Sequence, residues 1–244
     1  MARVLYGVVI VCALTALGMS AQSRPAVRFD ISVPPSIHGD AITGRVYVMI
    51  TRNAEREPRL QLNQADGIPF FGRDIEKLAP GAAATIDAGD LGFPVDSLRD
   101  IPAGEYFVQS FVNVYSEFRR ADGQAVWMHD DQWEGQHWET APGNLYSRSQ
   151  KLRIDPAAGF RIALVADQKI PPVTIPPDTA HVKRIKFQSP SLTTFWGRPV
   201  YLGATILLPR DYDRETISYP VLYLQGHFGL NPPVGFREGN GETY

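Results

Sequence analysis

Cysteine is almost missing from this chain: Cys12 is the only one in 244 residues. It lies inside an apolar N-terminal run, so a chain processed after that run carries no disulfide, no thiol nucleophile and no thiolate metal site. Its stability must then come from an ordinary hydrophobic core. Excess charge is missing too. A net charge of −2 gives no argument for nucleic acid or an anionic membrane as a partner. No apolar run is long enough to span a bilayer stably, and no long amphipathic helical pattern or internal repeat occurs. Disorder is excluded by composition, with 44% hydrophobic and 20% charged residues. What is plentiful is turn-forming residues, 21 glycines and 20 prolines, which suits short strands better than helix bundles.

The N-terminus reads as an export signal. Arg3 is its one charge, residues 4–17 are nearly all apolar, and the small residues Gly18, Ser20 and Ala21 follow. Cleavage is expected near Ala21, leaving a periplasmic or extracellular protein with no membrane attachment. Removal of residues 1–21 takes out Arg3 and moves the formal charge from −2 to −3. Val11 before Cys12 does not suit a lipoprotein signal, which needs a small residue there. An uncleaved anchor is the alternative.

Residues 22–168 are expected to form one β domain. Apolar and polar residues alternate with period two over 27–33, 44–50 and 104–115, so each run can bury one face. In the last run Tyr106, Val108, Ser110, Val112 and Val114 share a side. Residues 151–154 and 160–165 are further strands. Turn signals separate them at Pro34-Pro35, Ala79-Pro80-Gly81, Pro102-Ala103-Gly104, Asp122-Gly123 and Asp155-Pro156. Such punctuation predicts an antiparallel β-sandwich of immunoglobulin-like type, without the inter-sheet disulfide of antibody domains. Two stretches fit this pattern poorly. Residues 61–71 end in the pair Phe70-Phe71. Residues 125–138 carry three of the four tryptophans and two histidines, and read as an insertion running to about Ser149.

Residues 169–181 form a Pro-rich linker (I-P-P-V-T-I-P-P-D over 170–178), whose paired prolines hold it extended. Beyond it, 182–188 alternates again. The run R-P-V-Y-L-G-A-T-I-L-L-P over 198–209 is a strand ending in the acidic turn Asp211-Tyr212-Asp213. The run Y-P-V-L-Y-L-Q-G-H-F-G over 219–229 is a Pro-initiated β-forming stretch that breaks into a glycine-flanked loop. These two runs resemble the entry to the esterase family that includes the enterochelin-esterase-like and esterase D-like enzymes. Some of its members carry a β-sandwich before an α/β-hydrolase domain. The resemblance covers residues 182–244 well and the sandwich in outline. It implies a carboxylic ester hydrolase with a Ser–His–Asp/Glu triad, a small-molecule ester substrate and no cofactor.

In that fold one oxyanion donor comes from the loop after the third strand. Gly226, His227, Phe228 and Gly229 occupy the corresponding place, and a plain strand-ending turn is the alternative. No serine stands in a G-x-S-x-G context. An α/β-hydrolase domain needs about 200 residues as one unit, and residues 182–244 offer far fewer. The expectation is therefore an incomplete hydrolase domain, an N-terminal part without its own catalytic residues and without activity alone.

The insertion offers a second candidate. Trp127, Trp133 and Trp138 could stack on a sugar or an aryl ester, or pack the insertion down; large aromatics are usually buried. His129, Asp130, Asp131, Glu134 and His137 are metal-compatible, but their spacing matches no metal motif, so no metal site is expected. The alternative to an esterase is a non-catalytic sandwich that binds a glycan or a protein through the Trp-rich loop.

Overall fold

A computed structural model of the chain describes residues 25–62, 67–132, 137–226, 229–237 and 239. The export signal at 1–21 lies outside them. The described residues are mainly β. The strands are β1 (Val27–Ser32), β2 (Ile42–Thr51), β3 (Phe70–Leu78), β4 (Ala83–Asp87), β5 (Gly92–Phe93), β6 (Gly104–Val114), β7 (Ser116–Arg119), β8 (Ala125–Met128), β9 (Leu145–Tyr146), β10 (Gln150–Ile154), β11 (Phe160–Val165), β12 (Gln168–Lys169), β13 (Val182–Gln188) and β14 (Tyr201–Leu207). One α-helix, α1 (Pro190–Trp196), follows β13.

Two sheets face each other. One has the order β11-β1-β4. The other runs β12-β9-β6-β2-β3-β5, with β10 also on β6. Alternation supplies the core. Val27, Phe29 and Ile31 of β1 meet Val46, Val48 and Ile50 of β2, and Tyr106, Val108 and Val112 of β6. The period-two runs in the sequence thus become the inward faces of a sandwich. Strand β1 is flanked antiparallel by β4 and parallel by β11. Asp30 at its centre accepts hydrogen bonds from Thr85 of β4 at 2.8 Å and Arg161 of β11 at 2.7 Å, tying all three strands together.

Strands β3 and β4 were not legible as alternating runs. Phe70-Phe71 opens β3, with Phe71 in the core and Phe70 on the opposite face. The pairing of β2 with β3 shifts register between Ile42 and Gly44. Gly44 has no room for a side chain, because a Cβ there would run into the Asn113 carbonyl. At the start of β6 the Tyr106 hydroxyl donates to the Pro102 carbonyl at 2.7 Å and accepts from Arg52 at 2.9 Å. This pins the turn at Pro102-Ala103-Gly104 to the strand it introduces.

Two expectations are corrected. The insertion over 125–149 is partly built of strands: β8 pairs with β7, and β9 joins the larger sheet beside β6. The stretch from Tyr219 into the Gly226 loop forms no strand among the described residues. Beyond the linker the ladder is β13 against β14, antiparallel from Val182–Leu207 to Gln188–Tyr201. A run of consecutive apolar residues has no polar face to set a register and needs neighbours on both sides to be held. Residues 221–224 have neither, whereas the alternating 182–188 pairs readily.

Candidate functional site

The loop expected to carry an oxyanion donor is reached through a series of turns. After β14, Arg214 and Glu215 both donate backbone N–H to the Asp211 carbonyl. The Tyr219 hydroxyl donates to the Glu215 carboxylate. That hydrogen bond pushes the Tyr219 phenol up to about 12, because losing its proton would set two negative charges together. Next come Val221, Leu222, Tyr223 and Leu224, exposed by 71, 79, 88 and 58%. Gly226 and Gly229 flank the loop, and a Cβ at either would stand in open space. Neither has a positive φ. His227 and Phe228 lie outside the described residues. Arg184 of β13 donates to the Leu230 carbonyl at 3.1 Å, and His181 lies 5.9 Å from the Phe236 ring, so the chain after the loop returns to the β13–β14 hairpin.

The tryptophan candidates separate. Trp138 packs on the outer face of the larger sheet. Its ring stacks on Tyr47 at 4.7 Å and meets Phe111 edge-on at 5.3 Å, in a second apolar cluster with Met49 and Ile170. Burial there pushes the Tyr47 phenol up to about 12. Trp138 therefore anchors the insertion. Trp127 sits on β8 opposite Glu117 and is 45% exposed, so its ring is open to a ligand. Trp133 and Glu134 lie outside the described residues.

The histidines of the insertion face different groups. His129 Nδ1 is 3.3 Å from Asn113 Oδ1, and His137 Nδ1 is 3.2 Å from Glu139 Oε1. Among the described residues no three His, Cys, Asp or Glu side chains converge as metal ligands.

A polar cluster beneath the insertion escaped the sequence reading. Gln109, fully buried on β6, accepts from the Arg59 backbone at 2.9 Å and donates to the Ser147 carbonyl at 2.8 Å and to Glu57 at 3.1 Å. Arg59 in turn bonds Glu57 at 2.7 Å and the Glu139 carbonyl at 2.6 Å, and lies 4.4 Å over the Tyr146 ring. Each buried donor and acceptor so paired avoids the cost of an orphan polar group. The available signal was Gln109 itself, a long polar side chain in the middle of a strand run. The cluster locks the turn at Pro58–Gln61, the insertion and the sheet together, which is a structural task.

Of the sequence-predicted candidates, the described residues leave exposed the Trp127 face of the β7–β8 hairpin and the apolar stretch leading to Gly226. Neither protein-family models nor curated proteins nor solved structures match the chain.

Proposed function

We propose that this chain is the N-terminal part of an exported carboxylic ester hydrolase. It contributes an immunoglobulin-like sandwich, the first strands of an α/β-hydrolase domain and one side of the oxyanion hole at Gly226, His227, Phe228 and Gly229. The serine, acid and histidine of the triad are not among its residues, and the chain alone is inactive. The substrate class is a small carboxylic ester, processed without a cofactor. Attack by the triad serine on the ester carbonyl builds negative charge on its oxygen. Backbone N–H groups of the loop are suited to stabilise that charge.

The observation that carries this reading is the string of exposed apolar side chains at Val221, Leu222, Tyr223 and Leu224, set between an antiparallel hairpin and a glycine-flanked loop. Four consecutive apolar residues match a strand buried on both faces by a larger sheet. An apolar patch of this kind marks a surface meant to be covered. The immunoglobulin-like reading is supported by the Tyr106–Pro102 hydrogen bond, which has the form of the tyrosine corner of such sandwiches.

The test is to read the coding frame past the Tyr244 codon and express the whole frame. A frame encoding G-x-S-x-G, then an acid and a histidine, is expected. Its product should hydrolyse p-nitrophenyl acetate and be labelled by a fluorophosphonate, while residues 22–244 alone should not. A stop codon there, or stoichiometric phosphonate labelling of residues 22–244, would overturn the proposal. The exposure of Trp127 favours a second reading, a binding protein for a glycan. Quenching of its fluorescence by an oligosaccharide, lost in Trp127→Ala, would support that alternative.

A further inference from the structure

The β7–β8 hairpin belongs to neither main sheet, yet Phe118 at its centre is buried. A two-stranded ribbon cannot bury a phenylalanine by itself, and Phe118 is in neither core cluster of the sandwich. Two groups on its ring come from beyond the linker. Trp196, the last residue of α1, meets it edge-on at 6.0 Å, and the Arg198 guanidinium lies 4.3 Å over it. Gly197, with φ at 63°, turns the chain between these two residues. The hairpin tip adds more. The Ala121 N–H donates to the Phe195 carbonyl at 2.6 Å, and the Arg120 guanidinium lies 5.5 Å over the Phe195 ring. Arg120 also pairs with Asp122 at 3.0 Å, and its Nε is sealed from water. The linker is fixed at its start as well, because Ile170 exchanges backbone hydrogen bonds with Gly143 and Asn144.

From this geometry we infer that the β7–β8 hairpin is a clamp. It grips the Phe195-Trp196-Gly197-Arg198 segment and holds the region after the linker in one orientation against the sandwich. The Pro-rich stretch then joins two parts of one body and does not act as a swivel. The clamp is formed by residues on both sides of the linker and does not depend on an ester being cleaved, so it can fail or stand separately from the esterase proposal.

The test places spin labels at Ser36→Cys and Ala204→Cys in a Cys12→Ser background of the full chain and measures their separation. One narrow distance distribution is expected. Phe118→Ala and Arg198→Ala should each broaden it by on the order of 10 Å, since a released Pro-rich tether reaches ~3.1 Å per residue. Arg198 is exposed, so its variant keeps the fold even if Phe118→Ala does not; far-UV circular dichroism checks both. A broad distribution in the parent chain, or an unchanged narrow one in Arg198→Ala, would overturn the clamp.

Discussion

The sandwich and the region beyond the linker are written in the same residues and end differently. In β2, Val46 and Val48 vanish into a core. In the C-terminal region, Leu222 and Tyr223 stand in solvent. Both stretches favour extended backbone. What separates them is a second layer: the sandwich supplies a facing sheet, while β13 and β14 form a two-stranded ribbon with Ile185, Phe187, Tyr201 and Leu202 still exposed. Strand propensity selects a local conformation, and burial against another layer supplies most of the free energy.

The contrast can be broken most severely inside the sandwich. Phe71→Ala removes a fully buried ring and should cost about 3–5 kcal/mol in urea denaturation. Trp138→Ala loses the stack on Tyr47 and the edge contact with Phe111 from a half-buried site, and about 2 kcal/mol is expected by the same measurement. Tyr106→Phe deletes one hydroxyl, with its bonds to Pro102 and Arg52, and should cost about 1 kcal/mol.

A fourth change acts through pH. Desolvation works against ionising Asp30, but the hydrogen bonds from Arg161 and Thr85 and the nearby charges of Arg161 and Arg28 outweigh it, so its carboxyl lies below the usual 3.8. A depressed folded value favours the folded state fully above the unfolded value, and the gain disappears as pH falls through the folded one. Thermal melts of the parent chain and Asp30→Asn should therefore differ at neutral pH and converge in strong acid. Leu222→Asp sharpens the contrast from the other side. It should shift the melting transition by no more than about 0.5 kcal/mol, because the side chain is already in water. Its visible effect should be less aggregation by light scattering.

These outcomes follow the same line that divided what could be read from the sequence. The runs at 27–33, 44–50 and 104–115 became β1, β2 and β6 because a period of two leaves only one face to bury. β3 was hidden because F-F-G-R-D-I-E-K-L turns mostly partly exposed side chains outward, Lys77 takes a positive φ, and the strand is held by pairing to β2. Register and pairing are long-range facts that no local pattern carries. The same holds for the candidate site. Trp127 and Trp138 look alike in sequence, but only Trp138 has Tyr47 and Phe111 beneath it. Arg120, two residues before the Asp122-Gly123 turn, meets Phe195 on the far side of the linker, a contact that no local pattern carries.

The parallel pairing of β1 with β11 sets the timing of folding. Arg161 and Asp30, bonded across that pair, are 131 residues apart in the chain. The smaller sheet therefore stays open on one side until almost the entire sandwich sequence has emerged from the ribosome. Contacts of such separation slow folding. A first strand that must wait for the last one makes closure of this sheet a late event in folding.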